Sequence, residues 1–321
     1  MSATLAMFPG QGSQRPGMAR HLLERYPRSA GRFLYEAGEL LDLPLAELCT
    51  TGSAAELSRT ELTQPAVLAV SLAVHEALRK EHGFVPDAVA GHSLGEYGAL
   101  VAADVLDAGD ALRLVRRRAQ LMAEAGRATP GGMTAVIGLD AARVEALCAD
   151  PGLSAPVEVA NYNDASQTVV AGEREAVAAV ARRAAEAGAE RVVPLPVSAP
   201  FHSSLMRAVE PLLAAELADV AFRRPVRPVL SSVTGRPLSS GEEARLLLAR
   251  QPAAPVRWVD VLRTAEAAGT RTYVEVGPGR VLCGFVRGTL PGATARSTHD
   301  SRQIEALARS LESVPALPVP A

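Results

Sequence analysis

The feature that most limits what this chain can become is a pentapeptide, Gly91-His92-Ser93-Leu94-Gly95, set between two segments of opposite character. Before it stands the short apolar run Ala88-Val89-Ala90, which reads as a buried strand, and after it Glu96–Val105 reads as a helix. A chain that passes from strand to helix in so few residues must reverse sharply, and glycines on both sides of Ser93 permit that reversal. Strand–turn–helix units of this kind belong to sheets whose faces are covered by helices, so an α/β fold with a mainly parallel sheet is expected. Such a turn also lifts its central hydroxyl clear of the backbone, where the amides that open the following helix can stabilise negative charge. Ser93 is therefore a candidate nucleophile; the competing reading is a glycine turn in which the serine is only structural.

A second strand-to-turn passage opens the chain, where apolar Thr4–Phe8 runs into Pro9-Gly10-Gln11-Gly12-Ser13-Gln14. Helical patterns follow near Met18–Tyr26, Ala30–Leu41 and Gln64–Glu81, and Ala108–Ala125 adds a helix with several arginines along one side. From about residue 128 to 198 the rhythm changes. Strands are expected at Thr134–Leu139, Val157–Asn161, Gln167–Ala171 and Arg191–Val197, with helices at Ala141–Ala149 and Glu173–Ala187. That βαββαβ order is the ferredoxin-like pattern. It divides the chain into a large unit, 1–127 with 199–321, and a small unit inserted at 128–198. The large unit resumes with a helix near Ser204–Leu217, a strand-like run Pro228–Val233 and a helix near Gly241–Arg250. A strand Arg271–Val276 then enters Gly277-Pro278-Gly279 ahead of a helix from near Val281, and the proline-rich tail Pro315–Ala321 is expected to be disordered.

Composition works mainly by exclusion. A formal net charge of −2 gives no electrostatic reason to expect nucleic acid or an anionic membrane as partner. The three cysteines, Cys49, Cys148 and Cys283, stand far apart without a CxxC pair, which argues against a disulfide framework and a zinc site and suits a reducing cytoplasm. No apolar stretch approaches the roughly 18 residues of a membrane span, and the N-terminus lacks the features of a signal peptide. The abundance of arginine, against Lys80 as the only lysine, reads as base-composition bias rather than chemistry.

Serine is a weak nucleophile until a base takes its proton, and histidine is the usual base. His21, His75 and His82 lie in helical patterns and read as surface or filler residues, while the position of His92 in the turn aims it away from the hydroxyl. His202 follows a strand end, where active-site groups concentrate, and His299 is its rival, since esterases often place their histidine late. Position alone leaves both open, and no acid stands out as a third member.

The motifs Phe8-Pro-Gly-Gln-Gly-Ser-Gln14, Thr63-Gln-Pro-Ala66, Gly91-His-Ser-Leu-Gly-Glu-Tyr97 and Ala199-Pro-Phe-His-Ser-Ser-Leu-Met206 change this position. With Asn161-Tyr-Asn163, Gln167–Gly172, Gln251–Trp258 and Glu275–Gly279 they form an ordered set over residues 4 to 285. The chain resembles the malonyl-CoA:acyl-carrier-protein transacylases and the related acyltransferases of polyketide synthases, free-standing members included. The resemblance implies an α/β-hydrolase-like large subdomain carrying a ferredoxin-like small one. It implies Ser93 as the acylated residue, His202 as base in place of His299, and the backbone carbonyl of Gln251 as the group that orients it. It further implies an oxyanion hole from the amides of Gln11 and Leu94, with Gln64, Asn161, Asn163 and Phe201 around the substrate.

Arg118 sits where this family keeps a buried arginine for the free carboxylate of malonate, although Arg116 and Arg117 read as a solvated basic face. A guanidinium can grip a carboxylate by two parallel hydrogen bonds. Ala119 stands where the family has glycine or serine, and Ala199-Pro200-Phe201-His202 matches neither of the family's usual malonyl and methylmalonyl tetrapeptides, though Phe201 would crowd a substituted α-carbon. The implied substrates are malonyl-coenzyme A, or a related acyl-CoA, and the phosphopantetheine of an acyl carrier protein, with no bound cofactor or metal. A cytoplasmic monomer is expected, and Arg116, Arg117, Arg207 and Arg280 are candidates for a basic docking rim. The rival readings are an editing hydrolase or thioesterase, a carrier-to-carrier transferase of another acyl group, and a carrier-binding module without activity.

Overall fold

The two apolar segments that lead into the glycine turns at residues 9–14 and 91–95 are neighbours in one sheet. The computed structural model describes residues 3–197 and 199–312. Its strands are β1 (Ala3–Phe8), β2 (Ala88–Gly91), β3 (Gly132–Ile137), β4 (Val157–Asp164), β5 (Gln167–Gly172), β6 (Arg191–Pro194), β7 (Val229–Leu230), β8 (Val256–Arg257), β9 (Thr270–Glu275) and β10 (Thr294–Ser297). The first sheet has the order β10-β9-β1-β2-β7, with every pairing parallel. Helices cover both faces, which is why β1 and β2 end in unbroken buried runs instead of alternating.

From β1 the chain winds outward through β2 to β7, then returns to the other side of β1 for β9 and β10. At such a reversal the loops leaving adjacent strands diverge and open a crevice at their carboxyl ends. The turns after β1, β2 and β9 all leave the sheet there. The helix Gly95–Ala102, which carries the end of the Ser93 turn, packs directly on the β1 backbone. A Cβ on Gly95 would lie 2.0 Å from the Phe8 carbonyl oxygen, and one on Gly98 would lie 2.7 Å from the Phe8 ring.

The second sheet runs β6-β3-β5-β4-β8. Its first four strands are antiparallel and come from the expected βαββαβ segment, with Val136, Val144, Val170, Val177 and Val180 in a core under the helices Ala141–Cys148 and Arg174–Glu186. The fifth is a surprise: β8 lies almost a hundred residues further on, and pairs parallel with β4 through Asn161↔Val256 and Tyr162↔Arg257. Two residues following a proline carry no period, so nothing in the pattern announces this strand. Trp258 follows at once, fully buried against Leu5, Met7 and Tyr273 beneath the first sheet.

Other differences have local causes. The helix expected from Gln64 begins at Thr60, so Pro65 lies inside it rather than at its start. The segment expected as one helix over Ser204–Leu217 is a 3₁₀ turn, Ser204–Met206, and a separate helix, Val209–Ala218. Strand β4 runs on to Asp164, three residues past its expected end, and so holds Asn163. Helices Leu45–Thr51, Trp258–Ala267 and Ser301–Glu312, and strand β10, were not expected. The tail Pro315–Ala321 lies outside the described residues. Among the described residues no helix is long and apolar enough to cross a membrane.

Gly95 and Gly284 test the packing account against each other. Overpacking at Gly95, against backbone that cannot move aside, should make Gly95→Ala less stable by about 3 kcal/mol. Gly284→Ala, in the helix Val281–Thr289 with nothing within 4 Å of its Cβ, should be neutral or more stable by up to about 1 kcal/mol. Denaturant unfolding of the two variants measures both.

Candidate active site

Ser93 and His202 meet although 109 residues separate them: the Ser93 hydroxyl is 2.8 Å from His202 Nε2. Both have left-handed backbone, with φ of 53° and 60°, an uncommon conformation for residues with a side chain. For Ser93 it is the sharp turn between β2 and the helix Gly95–Ala102; for His202 it is a loop tied down by its amide, which donates to the Pro252 carbonyl at 2.9 Å. His202 Nδ1 lies 3.0 Å from the carbonyl oxygens of both Gln251 and Ala254. Carbonyls only accept, so Nδ1 carries the proton and Nε2 is left with its lone pair toward the serine. The 3₁₀ turn Gln251–Ala253 sets these carbonyls in place, and among the described residues no carboxylate is hydrogen-bonded to the ring.

His299 stands apart, with Nδ1 2.9 Å from Ser297 Oγ and Nε2 3.2 Å from Asp300. His21, His75 and His82 do not line the cleft, and His75 packs edge-on against Phe8. His92 does point away from the hydroxyl: its Nε2 meets Asn163 Oδ1 at 2.9 Å and its ring packs against Trp258 and Phe285.

Arg118 projects from the helix Ala108–Ala128 and is 1% exposed. Its Nη1 donates to Gln64 Oε1 at 2.6 Å; its Nη2 donates at 3.0 Å both to Ser93 Oγ and to Gln251 Oε1. Among the described residues no carboxylate forms an ion pair with it, and its Nε has no partner. A dry guanidinium without a paired anion is costly, and one of its nitrogens lies against the Ser93 hydroxyl. Arg116 and Arg117 are half-buried on another side of the helix, where Arg117 pairs with Glu216 at 2.8 Å.

These groups close one end of a cleft of ≈ 280 Å³ between the two sheets. Gln11, Gln64, Asn161, Asn163 and Phe201 also line it. Gln11 and Leu94, in the turns after β1 and β2, line it as well, and among the described residues neither main-chain amide is used in a hydrogen bond. Two groups escaped the sequence reading. Glu96 and Ser232, 136 residues apart, are buried behind the nucleophile, and the Gln251 side chain joins them to Arg118. Glu96 lies inside a quoted motif, but nothing in the sequence signals that Ser232 would reach it.

Residues 7–308 match the model of the acyl transferase domain. The chain belongs to that family. Over 306 residues this acyltransferase is 39% identical to the malonyl CoA-acyl carrier protein transacylase of Escherichia coli (strain K12), covering 95% of the chain and 98% of the relative. Among solved structures it is similar to the acyl-carrier-protein S-malonyltransferase of Burkholderia pseudomallei 1710b, with a TM-score of 0.91 and 37% identity over 96% of this chain and 99% of that one. It is also similar to a malonyl-transacylase solved in complex with its type II PKS acyl-carrier protein, with a TM-score of 0.92 and 36% identity over 96% and 100% of the two chains.

Burial, then the positive charge of Arg118, pushes His202 in the acyltransferase down from 6.5 to about 3, against the pull of its two carbonyl partners. The imidazole is therefore neutral across the physiological range. Serine acylation measured by rapid quench should show no falling limb as pH passes 6.5 toward acid. Stability should behave differently. His202, and His21 and His75 at about 4, are held neutral in the folded protein, whereas the unfolded chain binds protons below 6.5. Their contribution is full above 6.5 and is lost as pH falls from 6.5 toward about 4 for His21 and His75 and about 3 for His202, which thermal melts across that window measure.

Proposed function

We propose that this chain transfers a malonyl group from coenzyme A to the phosphopantetheine thiol of an acyl carrier protein, in fatty acid or polyketide biosynthesis, through a malonyl ester on Ser93. The observation that carries the reading is Arg118, a buried cation whose Nη2 lies 3.0 Å from the nucleophile's oxygen. An enzyme for neutral acyl groups has no use for such a charge, whereas a carboxylate one carbon from the thioester would complete it.

In the first half-reaction the Ser93 hydroxyl gives its proton to His202 Nε2 as Oγ attacks the thioester carbon. The carbonyl π electrons move to oxygen, and the amides of Gln11 and Leu94 hold that oxyanion. Its collapse breaks the carbon–sulfur bond, and the proton on Nε2 leaves with the coenzyme A thiol. The carrier's thiol then gives its proton to Nε2 and attacks the ester, and the proton returns to Ser93 Oγ. The substrate carboxylate also acts on the base. By pairing with Arg118 it cancels the charge that, after burial, most depresses His202, so a bound malonyl group strengthens the base that activates its own acceptor.

The same reading takes Phe201 as the wall beside the α-carbon, favouring plain malonyl, and Asn161 and Asn163 as contacts for the thioester arm. Arg207 and Arg280 are exposed and suit an acidic carrier better than Arg117, which is already paired. It includes a cytoplasmic monomer without a resident cofactor, and the division into 1–127 with 199–321 and 128–198.

Intact-protein mass spectrometry after incubation with malonyl-CoA should show one malonyl adduct on the wild type and none on Ser93→Ala. Loss of the charged hydrogen bonds in Arg118→Ala should slow malonyl loading by about 10- to 100-fold. Acetyl-CoA loading as fast as malonyl-CoA on the wild type would overturn the carboxylate reading in favour of an editing or carrier-to-carrier enzyme.

A further inference from the structure

Behind Arg118 lies a buried polar chain that the transfer chemistry leaves unexplained. The Gln251 carboxamide is its centre. Its Oε1 accepts from Arg118 Nη2 at 3.0 Å, while its Nε2 donates to Glu96 Oε2 at 2.8 Å and approaches the Ser93 carbonyl at 3.2 Å and Ser232 Oγ at 3.4 Å. Glu96 is 1% exposed, and its Oε2 also accepts from the Ser232 hydroxyl at 2.6 Å and the Ser232 amide at 3.2 Å.

The two ends of a carboxamide differ chemically, and here the surroundings decide which end points where. Turned over, the amide would set its nitrogen against the Arg118 nitrogen, donor to donor, and its oxygen against the Glu96 and Ser93 oxygens, acceptor to acceptor. Three groups oppose that flip, and Glu96, itself fixed by the Ser232 hydroxyl and amide, is the carboxylate among them. Burial raises the Glu96 pKa while the donors from Ser232 and Gln251 act to lower it, so the carboxyl is kept in the interior by the bonds it accepts.

We propose that Glu96 is a positioning residue for substrate selection: through the Gln251 side chain it holds the Arg118 guanidinium at the nucleophile and so sets the preference for acyl groups bearing a carboxylate. Gln251 then has two separate tasks. Its main-chain carbonyl orients His202, and its side chain orients Arg118.

The proposal rests on Arg118 as the carboxylate anchor, so Arg118→Ala serves as the reference. The quantity to measure is the ratio of malonyl to acetyl loading rates, taken from single-turnover acylation of the wild type, Arg118→Ala, Glu96→Met, Gln251→Met and the double variant. Gln251→Met keeps the main-chain carbonyl on His202 and removes only the carboxamide. It also leaves Glu96 in place should Glu96→Met fail to fold. The expected result is a fall in the ratio of roughly tenfold in each single variant, with the double variant no worse than the worse single one, since both cut the same chain. If malonyl and acetyl rates fall in equal proportion, or the ratio holds in a folded Gln251→Met protein, while Arg118→Ala lowers it, the positioning role is wrong and the anchor stands. If Arg118→Ala itself leaves the ratio unchanged, the anchor reading fails first.

Discussion

A guanidinium taken out of water without an ion-pair partner is among the more expensive things a fold can hold, and the arrangement around Arg118 is organised to tolerate it. Gln64 comes from one helix, Gln251 from a 3₁₀ turn, and Ser93 from the turn after β2, and each gives Arg118 an oxygen. None is charged. The cation is therefore solvated by dipoles, which hold it in place without satisfying its charge. An ion pair inside the protein would have been more stable and chemically inert. The same positive charge sits beside His202 and lowers its proton affinity, so Ser93, His202 and Arg118 form one electrostatic unit.

Both sheets are needed for that unit to become a cleft. The first supplies Ser93 and the amide-bearing turns at a point where the strand order reverses, a place any sheet of this order leaves open. The second supplies the opposite wall through β4, where Asn161 and Asn163 line the cleft and Asn163 also engages His92 from the Ser93 turn. The tight contact of Gly95 with Phe8 shows how little freedom the turn has against its own sheet. The position of Ser93 is set by this backbone-on-backbone packing, whereas the side chains around it arrive later in the chain.

How much of this was legible beforehand follows the range of the interactions involved. The glycine-flanked turn, the parallel sheet and the βαββαβ segment are local patterns, and they were readable because period and glycine spacing are local properties. The choice between His202 and His299 was not readable from position, because it depends on two carbonyls, at Gln251 and Ala254, that accept the Nδ1 proton. Motif resemblance pointed to His202, and the geometry supplies a physical reason. The Glu96–Ser232 contact and the pairing of β8 with β4 depend on residues almost a hundred or more apart, and neither leaves a periodic trace. The helix read from Gln64 begins at Thr60, so Pro65 lies within it and the first turn before the proline was missed.

Strand β8 is only two residues long, yet its place in the chain matters more than its length. Ala254, whose carbonyl holds His202, is two residues from Val256, which is hydrogen-bonded into the second sheet beside Asn161. Trp258, two residues beyond, is sealed in the core of the first sheet. A single extended stitch thus fastens together the two walls and the imidazole. Prising the walls apart along this seam would tug on the very carbonyls that decide which nitrogen is protonated. The seam therefore mounts the His202 ring at the join between the two walls.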